Sequence, residues 1–321
     1  MPLYNLIVSL IILFATELLY FKIADRYNII DKPNYRSSHT QVTIRGGGII
    51  FTVALLIYSF YAGINYPYFL LGLFLISLIS FLDDISELSS KIRILFHLIA
   101  VALLFYQTGM FAFPAYLILL ALIFVIGTIN AINFMDGING ITGGYGLVAL
   151  VTLYIVNSSI VSFTSNGLLL IAILAVLVFD FFNFRTKAKC FAGDVGSVSL
   201  AFIILFFLLQ LVIKTENVGY FVLLLLYGLD AATTIIFRLV RKENIVKAHR
   251  SHFYQFLANE KKVPHVVVSL IYMIIQVLIN LIWVNFLSAS NLKVALFIVV
   301  ASVIFIATRF ILEGPRKLLA V

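Results

Sequence analysis

The sequence predicts an all-α fold: a polytopic integral membrane helical bundle of about 11 transmembrane helices, forming a single domain over residues 1–321. Two observations carry this. Hydrophobic residues make up 63% of the chain and charged residues only 11%, against about 45–50% and about 25% in soluble domains. The apolar residues fall in runs exceeding the ~18 residues that mark a membrane span, and the mean hydropathy is +1.11. Helices are the economical reading of such runs, because lipid offers no partner to an unpaired backbone group.

In chain order the expected spans cover about 3–22, 47–62, 66–82, 92–109, 114–132, 142–160, 165–183, 196–213, 218–237, 264–286 and 291–311. The first run has no basic region before it and no small-residue cleavage site before Lys22, so it reads as a retained span. The second opens on Gly46-Gly47-Gly48, the third ends in Asp83-Asp84, the seventh ends near Asp180 and Asn183, and the eighth opens on a Gly-Asp-x-Gly-Ser element. No linker or repeat divides the chain. The lone Cys190 rules out an internal disulfide framework.

Charge sets the orientation. The segments after the odd-numbered spans, with the C-terminal tail, hold all of the 22 Lys and Arg except Lys214 and Lys293. The positive-inside rule places those segments and the C-terminus in the cytoplasm. The net charge of +8 therefore reports topology, and no nucleic-acid partner is expected. Nearly every unusual polar residue sits on the same side. A transporter, which usually places its polar site near the bilayer midplane, fits this less well than chemistry at one surface.

Five segments carry candidate chemistry. The first cytoplasmic loop holds Arg36, His39 and Arg45, donors suited to phosphate. Gly46–Gly48 allow close approach of a ligand or a neighbouring helix. Asp83 and Asp84 are costly at a membrane boundary unless paired, solvated or metal-bound. Adjacent helical positions diverge by about 100°, so one is expected to face a metal or proton and the other a base such as Lys91 or Arg93.

The segment Asn130 to Gly144 contains Asn133, Asp136, Gly137, Asn139, Gly140, Gly143 and Gly144. It reads as a helix break lining a polar cavity. Asp194 stands at the start of the eighth span, where a helix N-terminus suits phosphate and the acid suits a cation between them, a pattern fitting a Mg²⁺-bound diphosphate. His249, Arg250 and His252 form a basic cluster in the longest cytoplasmic loop. With no cysteine or third histidine close by, zinc is not favoured there. Glu17, His97 and Asp230 read as structural.

The order Arg-Ser-Ser-His with Arg-Gly-Gly-Gly, Asp-Asp, Asn-x-x-Asn-x-x-Asp-Gly-x-Asn-Gly, Gly-Asp-x-Gly-Ser and His-Arg-x-His resembles the polyprenyl-phosphate N-acetylhexosaminyl-1-phosphate transferases. That family includes the WecA-like and MraY-like enzymes. The resemblance runs from about residue 25 to 255 and implies a Mg²⁺-dependent enzyme (Mn²⁺ being an alternative) of a bacterial inner membrane. It implies transfer of an N-acetylhexosamine-1-phosphate from a UDP-N-acetyl sugar to polyprenyl phosphate, with release of UMP, as the initiating step of a cell-envelope glycan.

Carried over by position, Asp194 and Asn139 match metal ligands, and Asp83, Asp84 and Asp136 match the catalytic acids. Phe191 matches an aromatic that stacks on uracil, and Asn183 a polar position on the nucleotide side. His249, Arg250 and His252 match the motif that holds phosphates, while Arg36, His39, Arg45 and Asn133 complete the expected substrate contacts. Asn139 departs from the aspartate common in bacterial members and agrees with eukaryotic GlcNAc-1-phosphate transferases. The first-loop pattern looks more like initiators of O-antigen (lipopolysaccharide) and capsule than like peptidoglycan translocases. The resemblance also allows a homodimer. The rival class is a transporter, flippase or lipid-binding protein without catalytic activity.

Overall fold

The computed structural model describes residues 3–33, 38, 41–245, 249–287 and 291–320. Helices dominate: α1 Leu3–Arg26, α2 Ile49–Ala62, α3 Pro67–Ile85, α4 Ser90–Thr108, α5 Ala115–Met135, α6 Ile141–Ser159, α7 Asn166–Asn183, α8 Gly193–Thr215, α9 Leu225–Val240, α10 Phe253–Asn259, α11 His265–Ile282, α12 Asn291–Glu313 and α13 Pro315–Leu319. Among the described residues ten helical stretches are long and apolar enough to cross a membrane, and α2 is a shorter apolar helix. The chain is thus a polytopic helical membrane protein, with a long stretch or α2 at each expected span.

The bundle is organised around α8. This helix is apolar on all sides, which marks a helix enclosed by protein; it is 89% buried over its most apolar window, against 22% or less for α1, α4, α5 and α12. Phe69 of α3 stacks on Phe206 of α8 at 3.8 Å between ring centres, and Gly72 lets α3 pass close to Phe202 and to the Ala100 carbonyl of α4.

The ninth span is not one regular helix. Val218–Leu224 is a 3-10 segment that passes into α9, and such a junction leaves backbone groups unpaired in an apolar setting. Gln276 of α11 answers them. Its Oε1 accepts from the Leu226 N–H at 3.0 Å, and its Nε2 donates to the Val222 carbonyl at 3.1 Å. Tyr145 of α6 donates to the same Oε1 at 2.6 Å.

Two loops are stitched together beside the N-terminus of α8. Strand β1 (Ile30–Asp31) pairs antiparallel with β2 (Thr43–Ile44), and Ile44 bridges in parallel to Cys190. The Phe191 N–H donates to the Ile44 carbonyl at 2.8 Å, the Gly47 N–H to the Phe191 carbonyl at 2.9 Å, and the Gly48 N–H to the Ala192 carbonyl at 3.1 Å. The triple glycine thus serves backbone packing: a Cβ on Gly48 would lie 2.2 Å from the Gly196 Cα.

Candidate active site

Helix ends converge on a cleft of about 350 Å³. Asn133 and Phe134 come from the end of α5, and Asp136–Asn139 from the turn that follows. Asn183 closes α7, Phe191 belongs to the stitched loop, and Asp194 lies in the first turn of α8. Arg45 enters from the first loop, and His249, Tyr254, Gln255 and His265 complete the opposite wall.

Asp194 stands in the first turn of α8 rather than at its cap, which is Ala192. The cap is supplied from outside. The Asp84 carboxylate accepts the N–H groups of Asp194 at 2.9 Å and Val195 at 3.0 Å. It also pairs with Arg45 Nε at 2.6 Å and has a wholly buried side chain. This corrects the expectation that the α8 N-terminus offers its free N–H groups to phosphate, since a resident carboxylate holds two of them. The negative end of Asp84 against the positive end of the helix dipole is a favourable placement.

Asp83 takes other partners. It accepts from Arg93 Nη1 and from the Leu88 N–H, each at 2.7 Å. Only half of the expected division is seen: Asp83 holds Arg93, but Asp84 is taken by Arg45 and the α8 amides, and neither acid is among the residues that line the cleft. Arg45 Nη2 at 3.4 Å and Arg93 Nη1 at 3.8 Å reach Asp194 from two sides, so Asp194 is the member of the cluster exposed to the cleft, at 24%.

The turn after α5 is built by glycine. Gly140 takes a left-handed conformation with φ of 81°, and its N–H donates to Asn183 Oδ1 at 2.7 Å. Asn183 Nδ2 in turn donates to the Cys190 carbonyl at 2.8 Å. Asn183 is thus spent on joining the turn to the stitched loop and contributes to the cleft wall as a brace.

Asn139 lines the cleft and donates its Nδ2 to the carbonyls of Arg185 at 2.8 Å and Thr186 at 3.3 Å. Asn133 Oδ1 accepts from Ser197 Oγ at 2.7 Å. Burial pushes the Asp136 carboxyl up to about 7, and the Asp194 and Asp84 charges add to the rise.

The histidines divide the same way as the acids. His249 lines the cleft; burial, then the neighbouring His252 and Arg238, hold its imidazole down to about 4. The unliganded ring is therefore neutral at pH 7. His252 is 3% exposed and stands outside the cleft lining. Its ring stacks on His249 at 5.0 Å, and its Nδ1 lies 3.4 Å from Asp230. Arg250 is exposed beside them and is also absent from the lining. Arg36 and His39 fall outside the described residues. Of the expected residues the structure thus gathers Arg45, Asn133, Asp136, Asn139, Asn183, Phe191, Asp194 and His249 around one cleft.

Residues 66–212 match the family model of glycosyl transferase family 4. The match upholds the family read from the ordered motifs. It contains the Asp-Asp pair, the central turn and the start of α8, and it stops short of the histidine segment. A search of curated proteins finds no match. Family 4 points to transfer of a sugar phosphate onto a polyprenyl phosphate, and the cleft agrees in kind: polar groups collect where apolar helices end.

The lining residues that sequence reasoning did not single out include His265, Tyr254 and Gln255. His265 was hidden because it opens an apolar helix, and Tyr254 and Gln255 follow the histidine motif without belonging to it. The donor set also bears on a metal. Among the described residues no three His, Cys, Asp or Glu side chains gather as a ready-made metal cluster. Mg²⁺ characteristically takes few protein ligands and keeps oxygens from phosphate and water. Asp194 and Asn139 both line the cleft and carry oxygens of the kind that such a site takes.

Proposed function

We propose that this chain transfers an N-acetylhexosamine-1-phosphate from a UDP-sugar to polyprenyl phosphate, releasing UMP. GlcNAc is the first donor to test and a 6-deoxy analogue the second. The observation that carries the reading is the juxtaposition of Asp194, Arg45 and Phe191 in one cleft at the ends of membrane-spanning helices. A water-soluble donor and a lipid-anchored acceptor meet only at such a boundary.

Phosphoryl transfer asks the protein for charge neutralisation and alignment more than for covalent chemistry. Arg45, fixed by Asp84, lends positive charge to the cleft wall. Phe191, pinned by backbone bonds on both sides, offers a flat face to the uracil ring. Neutral His249 supplies a hydrogen bond on the opposite wall, which the Tyr254 hydroxyl ties to the Phe134 carbonyl. Asp194 and Asn139 would hold Mg²⁺, which when bound neutralises the diphosphate and stabilises the leaving UMP.

The acceptor phosphate is largely ionised at pH 7, so direct attack on the donor diphosphate needs no strong base. The phosphate oxygen forms the new bond to the sugar-bearing phosphorus as the bond to the UMP oxygen breaks. The topology expected from the loop charges puts this cleft on the cytoplasmic side, where nucleotide sugars are present. Initiation of an O-antigen or capsule glycan is the role that best suits the first-loop pattern.

The test is purified protein with undecaprenyl phosphate, Mg²⁺ and a panel of UDP-N-acetyl sugars, following UMP release and lipid-linked sugar. One donor giving both products, with loss in Asp194→Ala, is the expected result. A folded preparation that releases UMP from no donor sinks the reading in favour of a lipid-binding or transport role.

A further inference from the structure

We infer that Asp230 and Arg309, both buried in candidate membrane spans and both beyond the stretch that matches the family model, are positioning residues for the cleft. They act through the segment that carries His249, Tyr254 and Gln255. The inference rests on the transferase reading for its kinetic consequence but not for its structural one.

Asp230 of α9 is fully buried and is the hub of the segment. One carboxylate accepts the Phe253 N–H at 2.9 Å, the Tyr254 N–H at 3.2 Å, the Tyr272 hydroxyl at 2.6 Å and the Thr234 hydroxyl at 3.3 Å. His252 Nδ1 stands 3.4 Å from it. A buried carboxylate is expensive unless its lone pairs are satisfied, and here the chain assembles five partners around one. The result is directional. The two amides fix the start of α10, and Nδ1 fixes the His252 ring on which His249 stacks. The Tyr254 hydroxyl is then set to donate to the Phe134 carbonyl at 3.1 Å, joining this wall of the cleft to the other.

Arg309 of α12 closes the same segment from the far side. It is 1% exposed. Nη1 donates to Thr233 at 3.0 Å and Thr234 at 2.9 Å, and Nη2 donates to the Ser251 carbonyl at 3.0 Å. Its Nε pairs with Glu313 at 2.5 Å. Thr234 touches both Asp230 and Arg309, so the two charges share one network with the backbone of Ser251 between them. The C-terminal helix adds a clasp: Lys317 pairs with Glu260, and Arg241 donates to the Lys317 carbonyl at 3.2 Å. A charge kept inside a membrane span is a functional feature by default, and both of these charges bond to the 251–254 segment. What they do is hold His249 and Tyr254 at the cleft.

The experiment compares the full chain with Asp230→Asn, Arg309→Lys, Arg309→Met and Tyr272→Phe, all purified in the same detergent. Hydrogen exchange across residues 249–259 is read against exchange across α8, which serves as the control for folding. Donor KM and kcat are then measured with the UDP-sugar that the chain uses. We expect exchange in 249–259 to rise about tenfold in Asp230→Asn and Arg309→Met with α8 unchanged. Donor KM should rise about tenfold with a smaller change in kcat, with partial recovery in Arg309→Lys. Tyr272→Phe, which removes a single hydroxyl, should shift both in the same direction by less.

Unchanged exchange, or faster exchange with an unchanged donor KM, overturns the proposal. If the unmutated chain uses no donor, the transferase reading fails separately. Calorimetric affinity for UMP then takes the place of KM, and an affinity equal in all variants overturns the positioning role.

Discussion

At the residue scale, the cleft separates groups that face it from groups that hold those groups in place. Asp194 faces it while Asp83 and Asp84 are spent on Arg93, Arg45 and the α8 amides. Asp194→Asn should therefore lower kcat on the order of 100-fold or more, the scale at which loss of one preorganised charge-stabilising group is felt, with a melting temperature near that of the parent. Asp84→Asn should lower the melting temperature as well, since it disturbs the α8 cap and Arg45 together.

Phe191→Ala removes the expected stacking face, worth about 1–3 kcal/mol for a base, and steady-state kinetics should show donor KM raised roughly tenfold or more. His249 gives a pH prediction with a definite sign. Its folded-state value is held down to about 4, whereas an unfolded histidine titrates near 6.5. The unfolded chain thus binds the extra proton between these values, and stability falls as pH drops from about 6.5 toward 4. Melting curves over that range should show a slope that His249→Gln reduces.

At the scale of elements, the joints matter more than the rods. The α2–α8 joint is backbone against backbone at Gly48 and Gly196. Gly48→Ala should cost about 1–3 kcal/mol as overpacking, or more because backbone cannot rotate away, and a thermal melt with activity measured in parallel reads it. The joint between the 3-10 segment and α9 depends on Gln276. Gln276→Leu strands the Leu226 N–H and the Val222 carbonyl and should cost about 1–3 kcal/mol.

Hydropathy made the rods legible in the sequence, and the motif order made the central turn and Asp194 legible. The joints were not legible. A triple glycine reads equally as a phosphate loop or a packing surface until its neighbour is known, and here that neighbour, Gly196, lies far along the chain. The same holds for the acids and histidines. Sequence marks Asp83, Asp84, Asp194, His249 and His252 as chemistry, but which of them face the cleft depends on partners such as Arg45, the α8 amides and Asp230. These come from three separate segments. Asp230 looked structural because one polar residue on an apolar span gives no hint of the five groups that converge on it.

At the scale of the whole molecule, the orientation expected from the loop charges is directly measurable. Single cysteines at Asn65 and Asn166, in the sparsely charged loops, should react with a membrane-impermeant maleimide in intact cells. A cysteine at Lys262 should react only after permeabilisation. The native Cys190 is buried and leaves the background low. The reverse labelling pattern would place the cleft on the side opposite to the one expected.

The enclosure of α8 has a mechanical consequence. A helix that touches lipid must tilt or stretch its surroundings when the bilayer thickens or thins, at a cost of fractions of a kcal/mol per Å of mismatch. The lipid-facing helices α1, α4, α5 and α12 take that load, whereas α8 is referenced to protein on almost every side. Asp194 rides on the tip of this column. Changes in acyl-chain length are therefore absorbed at the rim of the bundle, as a tent takes wind in its walls while the pole, and whatever is fixed to its top, stays where it was set.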